Sequence, residues 1–312
     1  DLVRSRGLGD VYKRQVLDGD QHVLHVVFFD QGIDRNTILE NLTITGGYAF
    51  PDTVLPGGYT PVLRPELNLD SDFYHDGSGI MLFNSAPTVR NCRVVNNMAD
   101  RCGGGISVFC EGDAFPAIGP FIFGNEILGN TVSESFGGTG GGIDVYFGAS
   151  AEIVNNLFSG NWAWGGALAV LDNGSATLDY NTIVANSGSV AGLAMAGPAT
   201  VNMSNTIFAN NLEGAPLVES GTLAYSHCLF WNNAEPWTPP PGQGHITANP
   251  LFVTGPRGDY YLSQTAAGQA EDSPCLDAGS VLASASAVSG LTTRTDAVAD
   301  SGQVDIGYHY QP

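Results

Sequence analysis

The stretch GGALAVLDNGSATLDYNTIVAN, from Gly165 to Asn186, decides the fold. A glycine cluster opens a short apolar strand, and an apolar pair, Ile183-Val184, is followed two residues later by Asn186. Short apolar segments separated by Gly and Asn do not form helices, because both residues disfavour helices and tolerate left-handed backbone angles. The stretch therefore predicts one coil of short strands joined by tight turns.

The same pattern recurs along the chain with a shrinking period. Successive apolar pairs are 33, 30, 26, 24 and 22 residues apart, and they begin at Val94, Ile127, Leu157, Ile183, Ile207 and Leu229. Glycine clusters keep phase with them at Gly79, Gly103–Gly105, Gly140–Gly142, Gly165–Gly166 and Gly192. Stacked coils share a core that no single coil could build, and Asn at the same turn of each coil can form an amide ladder. The repeat predicts an all-β parallel β-helix of roughly seven to nine coils.

The chain divides into three parts. Residues 1–15 resemble a translated sequencing adapter, so we set them aside as non-native and draw nothing from the missing signal peptide. Residues 16–233 carry the repeat. Residues 234–312 begin with a proline-rich break, and we expect the rest to cap the open end of the solenoid.

Charge and hydrophobicity exclude two classes of partner. The net charge is −20 and Lys13 is the only lysine, so the chain lacks the clustered basic residues that bind a nucleic-acid backbone. No apolar run reaches the length of about 20 residues that a membrane-spanning helix needs.

At these motifs the chain resembles bacterial surface proteins of the pectin-lyase-like superfamily, and most of all polymorphic outer-membrane protein repeats. Those repeats combine a GGA-[ILV] element, matched at Gly165–Leu168, with F-x-x-N, matched at Phe158–Asn161, Phe208–Asn211 and Phe230–Asn233. Other coils depart from the pattern, with GGGI in the first element. The resemblance implies a right-handed, single-stranded parallel β-helix and an exported protein, extracellular or at the cell surface. The fold also hosts lyases, hydrolases and adhesins, so it does not give the activity.

Three arginines, Arg90, Arg93 and Arg101, form the one basic cluster of the repeat. Lyases of the resembled fold use a basic residue, and no lysine follows Lys13, so an arginine site for a sugar carboxylate is one interpretation. The other, which we favour, pairs Arg93 with Glu126 at the equivalent position one coil later.

Acidic residues offer a weaker catalytic hypothesis. Asp144 and Tyr146 alternate with Ile143 and Val145, so they should point out of the coil. Asp172 and Asp179 follow on the next coil, and carboxylates that converge on one face can hydrolyse glycosides. The adjacent Asp-Asp and the Gly-His-Gly of the resembled hydrolases are absent from this sequence, and a solvated acidic surface is the simpler interpretation.

Calcium is the one cofactor that the sequence indicates. Asp70, Asp72 and Asp76 concentrate carboxylates in a loop before Gly79, and hard cations prefer such oxygen ligands. Their spacing matches no EF-hand, so an ordinary acidic loop remains the alternative.

Aromatic residues suggest a binding surface. By alternation Phe83, Phe109 and Tyr146 fall on one outward ladder, on which a sugar chain could pack its apolar faces. The alternative is that the insertions at 111–123 and 131–139 fold over this ladder. Trp162 and Trp164 lie in a turn, where they could clamp a ligand or cover the edge of the core.

Two functions follow from these residues. The first is a non-catalytic solenoid that binds glycan or a surface partner, and the second is a lyase-like enzyme that acts on an acidic polysaccharide, with calcium as an aid. Cys92, Cys102 and Cys110 lie close enough in sequence for one disulfide, although burial as small apolar side chains explains them equally well.

Overall fold

The computed structural model describes residues 15–50, 75–110, 118–133, 137–212, 217–233 and 244–312. These residues form three parallel sheets that wind around one core, and no α-helix occurs among them. No helix of this described part is long and apolar enough to cross a membrane. The predicted adapter segment lies almost wholly outside the described residues, as do residues 234–243 of the proline-rich break at 234–247.

Each coil visits the three sheets in turn, and some coils contribute two strands to sheet 3. Sheet 1 contains β2 (Val27–Phe29), β5 (Ile80–Phe83), β9 (Ile106–Phe109), β13 (Ile143–Tyr146), β16 (Leu168–Leu171), β19 (Leu193–Ala196) and β22 (Leu217–Val218). Sheet 2 contains β3 (Ile38–Glu40), β6 (Thr88–Arg90), β10 (Phe121–Phe123), β14 (Ser150–Val154), β17 (Ser175–Asp179), β20 (Thr200–Ser204) and β23 (Thr222–Ser226). Sheet 3 contains β1 (Gln15–Val23), β4 (Leu42–Ala49), β7 (Arg93–Val95), β8 (Met98–Ala99), β11 (Glu126–Leu128), β12 (Thr131–Val132), β15 (Leu157–Ser159), β18 (Thr182–Val184), β21 (Ile207–Ala209) and β24 (Leu229–Trp231). The chain is therefore the all-β parallel β-helix that the repeat predicts.

The core is a continuous column of inward side chains. In β13, Ile143 and Val145 point into the coil and are fully buried, and they stack on Ile106 and Val108 of the previous coil. Alternation along each strand places every second residue inside. Successive coils therefore share one apolar interior, and the intervening residues form outward ladders that run across the coils.

The predicted asparagine ladder is present and buried. Its members are Asn97, Asn130, Asn161, Asn186, Asn211 and Asn233. In each step one amide donates Nδ2–H to the Oδ1 of the next coil, as Asn130 does to Asn161 at 3.1 Å. Asn210 and Asn232, where the apolar-pair pattern placed the ladder, instead hold the left-handed turn position just before it, with φ of 55° and 49°.

A second buried ladder, which we did not anticipate, lines the turn between sheets 2 and 3. It joins Asn125, Asn156 and Asn181 and ends on the hydroxyl of Thr206. Cys92 lies at the same turn one coil before Asn125, whose Oδ1 accepts its backbone N–H at 2.9 Å. All five cysteines are described and buried, and none of them forms a disulfide among the described residues. The disulfide alternative is thus not realised, and burial accounts for these residues.

The C-terminal residues cover one side of the solenoid. Residues 250–312, hereafter the strap, run back along the outer side of sheet 3 and contain the antiparallel pair β25 (Phe252–Gly255) and β26 (Gly258–Leu262). The strap buries Ile306 and Tyr310 against outward apolar residues of sheet 3, such as Leu157 and Ile207. The strap therefore covers the side of the solenoid, where the outward ladder of sheet 3 is apolar.

A much shorter segment meets the end of the last coil. Ile246 bridges to Leu229 as one further parallel position, with backbone hydrogen bonds to Phe230 and Cys228. The ring of His245 lies 4.6 Å from that of Tyr225. These two residues cover part of the terminal core that the strap leaves uncovered.

Candidate functional site

The three arginines of the basic cluster do not converge. Each pairs with a different acid: Arg90 Nη2 lies 2.6 Å from Glu40, Arg93 Nε lies 2.8 Å from Glu126, and Arg101 Nη2 lies 3.3 Å from Asp76. Glu126 and Arg93 are direct register partners, which confirms the pairing that we favoured. An arginine site made from all three residues was wrong, since Arg90 lies on sheet 2, Arg93 on sheet 3, and Arg101 in a turn before sheet 1.

Arg101 belongs to a compact charge cluster beside sheet 1. Its guanidinium contacts the carboxylate of Asp76 through Nε and Nη2, and it lies 6.0 Å from the ring centre of Tyr146. The Tyr146 hydroxyl donates a hydrogen bond to the same carboxylate. Burial, and then the charges of Asp76 and Asp144, raise the pKa of Tyr146 well above its ordinary value, so the hydroxyl stays a donor. The cluster joins a cation, a phenol and a carboxylate of fully buried Asp76.

Asp144 completes this cluster as a buried carboxyl group. Its side chain points out of the coil, as we expected, yet it has no exposed surface and its two oxygens have no hydrogen-bond partner among the described residues. Gly103, with φ of +60°, covers it so closely that a Cβ there would lie 2.3 Å from Asp144 Oδ1. Burial and then the charge of Asp76 raise the pKa of Asp144 well above its ordinary value. A solvated acidic surface is therefore wrong at this residue.

The other two acids stand apart from Asp144. Asp172 is exposed in the turn after β16, and Asp179 ends β17, where its carboxylate accepts hydrogen bonds from Ser204 and Asn205. Convergence of Asp144, Asp172 and Asp179 on one face was wrong, because each lies on a different side of the coil.

Of the three predicted calcium ligands, only Asp76 lies within the described residues. Asp70 and Asp72 lie outside the described residues, and the carboxylate of Asp76 already binds Arg101 and Tyr146. No group of three or more His, Cys, Asp or Glu side chains that could hold a metal ion occurs in the described part of the chain. The contacts of Asp76 do not fit a calcium ligand.

The aromatic ladder forms but does not face solvent. Phe83, Phe109 and Tyr146 are register partners with neighbouring ring centres 5.8 and 4.9 Å apart, and each is at most 6% exposed. An open sugar-binding strip was therefore wrong here. Phe147 remains 45% exposed above them, because its φ of 55° turns it out of the strand alternation.

The two tryptophans differ in exposure. Trp162 is half-buried in a turn ladder that bridges Thr131 and Ser187, whereas Trp164 is 46% exposed. Trp162 thus belongs to the edge of the core, and Trp164 keeps a free aromatic surface.

An open groove of the described structure lies on sheet 2. It has a volume of about 270 Å³ and is lined by side chains from three successive strands. One polar ladder contains Ser150, Ser175 and Thr200, and the next contains Glu152, Thr177 and Asn202. Neighbouring members of a ladder are about 4.8 Å apart, the spacing of paired strands. The groove floor is therefore a regular array of hydroxyl, amide and carboxylate groups.

Arg35 closes one side of the groove through a fixed set of contacts. Its Nη1 and Nη2 donate to the two carboxylate oxygens of Glu152 at 3.1 and 3.0 Å, and its Nε donates to the carbonyl of Gly119 at 2.7 Å. The guanidinium also lies 5.6 Å from the ring centre of Phe121. A bidentate, stacked arginine is held in one geometry, so this wall of the groove is preorganised.

Comparison with known proteins agrees with this architecture. The sequence profile of a family described as "Right handed beta helix region" matches residues 78–249, which is more than half of the chain. The chain belongs to the right-handed β-helix family. A search of curated proteins gives no match for it. The match covers β5 to β24 of the right-handed β-helix, and so includes most of the groove and all of the charge cluster except Asp76.

Sequence reasoning missed the groove of this right-handed β-helix. Arg35 and Glu152 are separated by more than a hundred residues, and no motif links them. One signal was available: Ser175-x-Thr177 and Thr200-x-Asn202 repeat at the same phase of consecutive coils. Repeated polar residues at outward positions predict a polar ladder, and this one faces solvent.

Proposed function

We propose that this β-helix belongs to an exported or cell-surface protein that binds glycan through the groove of sheet 2 without catalysis. The observation that carries the proposal is the pair of polar ladders, which present side-chain donors and acceptors at a constant step across three coils. A polysaccharide presents hydroxyl groups at regular intervals, and sugar recognition depends on such convergent polar contacts in a preformed cleft.

The binding experiment uses affinity electrophoresis through gels that contain single polysaccharides. The double variant Thr177→Ala with Asn202→Ala removes two of the three members of one polar ladder and leaves the strands intact, because both side chains are exposed. The matched control, Ser189→Ala with Ser284→Ala, truncates two exposed polar residues outside the groove. We expect a polymer that retards the wild-type protein and the control but not the ladder variant. Equal retardation of all three proteins would move the site elsewhere.

A second candidate function rests on the charge cluster beside sheet 1. A carboxyl group kept protonated next to a second carboxylate is an arrangement that glycosidases use for acid and base roles, and here Asp144 and Asp76 interact in this way. Full burial of both carboxyl groups speaks against substrate access. We therefore rank this candidate second.

Incubation with acidic and neutral polysaccharides, with and without calcium, separates the two candidates. Reducing ends report hydrolysis, and ultraviolet absorbance reports the unsaturated products of a lyase. We expect neither signal from the wild-type protein. Product that disappears in Asp144→Asn would establish the enzyme and reject the non-catalytic proposal.

A further inference from the structure

We infer that the groove selects neutral polysaccharides and that the Arg35–Glu152 pair determines this selectivity. The inference rests on the proposed function, since it assigns the ligand class of the same groove. It also differs from the second function that the sequence suggested, which was a lyase-like enzyme acting on an acidic polysaccharide.

The charges of the groove cancel. Among the described residues that line it, Arg35 is the one cation and Glu152 the one anion. They form a bidentate pair with N···O distances of 3.0 and 3.1 Å. The remaining polar lining consists of hydroxyl and amide side chains, as in Ser175, Thr177 and Asn202. A neutral ligand rich in hydroxyl groups matches both features.

Most of the donor groups of Arg35 are already engaged. Nε donates to Gly119, and each Nη nitrogen donates one of its two N–H groups to Glu152. Drawing the guanidinium toward an acidic sugar would break a charge-assisted pair and leave the Glu152 carboxylate facing the ligand's own negative charge. Like charges in contact disfavour the wrong ligand and so contribute specificity.

The charge of the whole chain acts in the same direction. A net charge of −20 produces a repulsive field for polyanions, which slows their association and weakens their binding at low salt. A polyanion could overcome this field only at a local positive site, and Glu152 neutralises the one that the groove contains.

The ladders also indicate how a neutral chain lies. Hydroxyl and amide groups recur from Ser150 to Ser175 to Thr200 along the direction in which the coils stack. A polymer that runs along the solenoid axis meets an equivalent set of groups every 4.8 Å or so. A chain that ran across the sheet would leave the groove after one strand.

The test compares matched polymers that differ only in charge. The pairs are hydroxyethyl and carboxymethyl cellulose, methyl-esterified and free polygalacturonate, and dextran and carboxymethyl dextran, each assayed by affinity electrophoresis. We expect stronger retardation by the neutral member of at least one pair. Preference for an acidic member would overturn the inference and leave glycan binding standing, whereas binding to none of the six would reject the proposed function itself.

Glu152→Gln tests the role of the ion pair directly. It frees Arg35 as a cation, so affinity for the carboxymethyl polymers should increase about threefold at low salt, the size of an exposed charge pair, and the gain should disappear at high salt. Glu219→Gln is the control, because it makes the same change in net charge at an exposed residue outside the groove. Equal gains in the two variants would show that the pair does not set selectivity.

Discussion

The buried carboxyl group of Asp144 makes the stability of the fold depend on pH. In the unfolded chain it ionises above its ordinary pKa of about 3.9, while in the fold burial and the charge of Asp76 raise its pKa. The unfolded state therefore releases this proton first as pH rises. The stability that the protonated group contributes is complete at low pH and is lost progressively above about pH 4.

Asp144→Asn should thus stabilise the protein at pH 8 and have little effect near pH 4. The amide is nearly the same size as the carboxyl group and cannot ionise. The variant therefore loses only the pH-dependent destabilisation that the raised pKa of Asp144 causes. Urea denaturation of both proteins at the two pH values measures the difference. A variant that is destabilised equally at both values would mean that the carboxyl group has a structural partner.

Asp305 of the strap also makes stability depend on pH, and here the pH range can be stated. Burial and then the charge of Asp300 raise its pKa to about 6, and its carboxylate accepts hydrogen bonds from Thr293 and from the backbone of Asp277. Stability from this group is complete below pH 4 and is lost as the pH rises through 6. Asp305→Asn should remove this pH dependence, so that its free energy of unfolding, relative to the wild-type protein in the same urea series, is higher at pH 8 than at pH 4. No gain at pH 8 would contradict this.

The asparagine ladder is the element that fixes each turn. Asn161 donates to Ile127 O and to Asn186 Oδ1, and it accepts two hydrogen bonds from Asn130, all of them buried. Removing its side chain leaves several buried groups unpaired, each of which costs about 1–3 kcal/mol. The ladder therefore stabilises the stack beyond the contribution of its apolar core.

Asn161→Ala should lower the free energy of unfolding by about 3 kcal/mol or more. Asn202→Ala is the matched control, since it deletes the same group from an exposed position on sheet 2, and we expect a change within about 0.5 kcal/mol. Thermal unfolding by circular dichroism compares the two variants. Similar losses in both would remove the ladder from the account of stability.

The elements also show where the sequence was informative. Strand alternation and the phase of the repeat predicted the coils, the Arg93–Glu126 pair and the register of Phe83 with Phe109, because all of these depend on one local period. Alternation separates the inside of a coil from its outside, but it does not show what covers the outside. Sequence reasoning therefore left the burial of Phe109 as one of two alternatives, and it failed for the burial of Asp144 and for the partner of Arg35, which enters from a distant turn.

At the scale of the whole molecule, we expect the strap and the solenoid to unfold as one cooperative unit. Tyr308 N–H donates to Thr182 Oγ1, His309 N–H donates to Asn155 Oδ1, and Gly307 N–H donates to Asn205 O. These contacts tie the strap to three different coils. Detachment of the strap would expose the apolar outer ladder of sheet 3, and exposed apolar patches of this kind promote association between proteins.

Ile306→Ala tests this cooperation from the strap side. The side chain is fully buried against sheet 3, and its truncation should cost about 2–5 kcal/mol. All four tryptophans lie before residue 244, so tryptophan fluorescence reports unfolding outside the strap. Its urea midpoint should fall in Ile306→Ala and stay constant in the control Val298→Ala, which alters an exposed strap residue. An unchanged midpoint in Ile306→Ala would mean that the solenoid is stable without the strap.

The central claim is that glycan occupies the groove of sheet 2, and thiol labelling tests it most directly. The five native cysteines are buried, so Thr177→Cys introduces one accessible thiol on the groove floor and Ser189→Cys introduces one outside it. Maleimide labelling is then timed with and without a polysaccharide that retards the wild-type protein. We predict that the polymer slows labelling of Thr177→Cys and leaves Ser189→Cys unchanged. If a bound polymer leaves the labelling rate of Thr177→Cys unaffected, the groove is not the binding site.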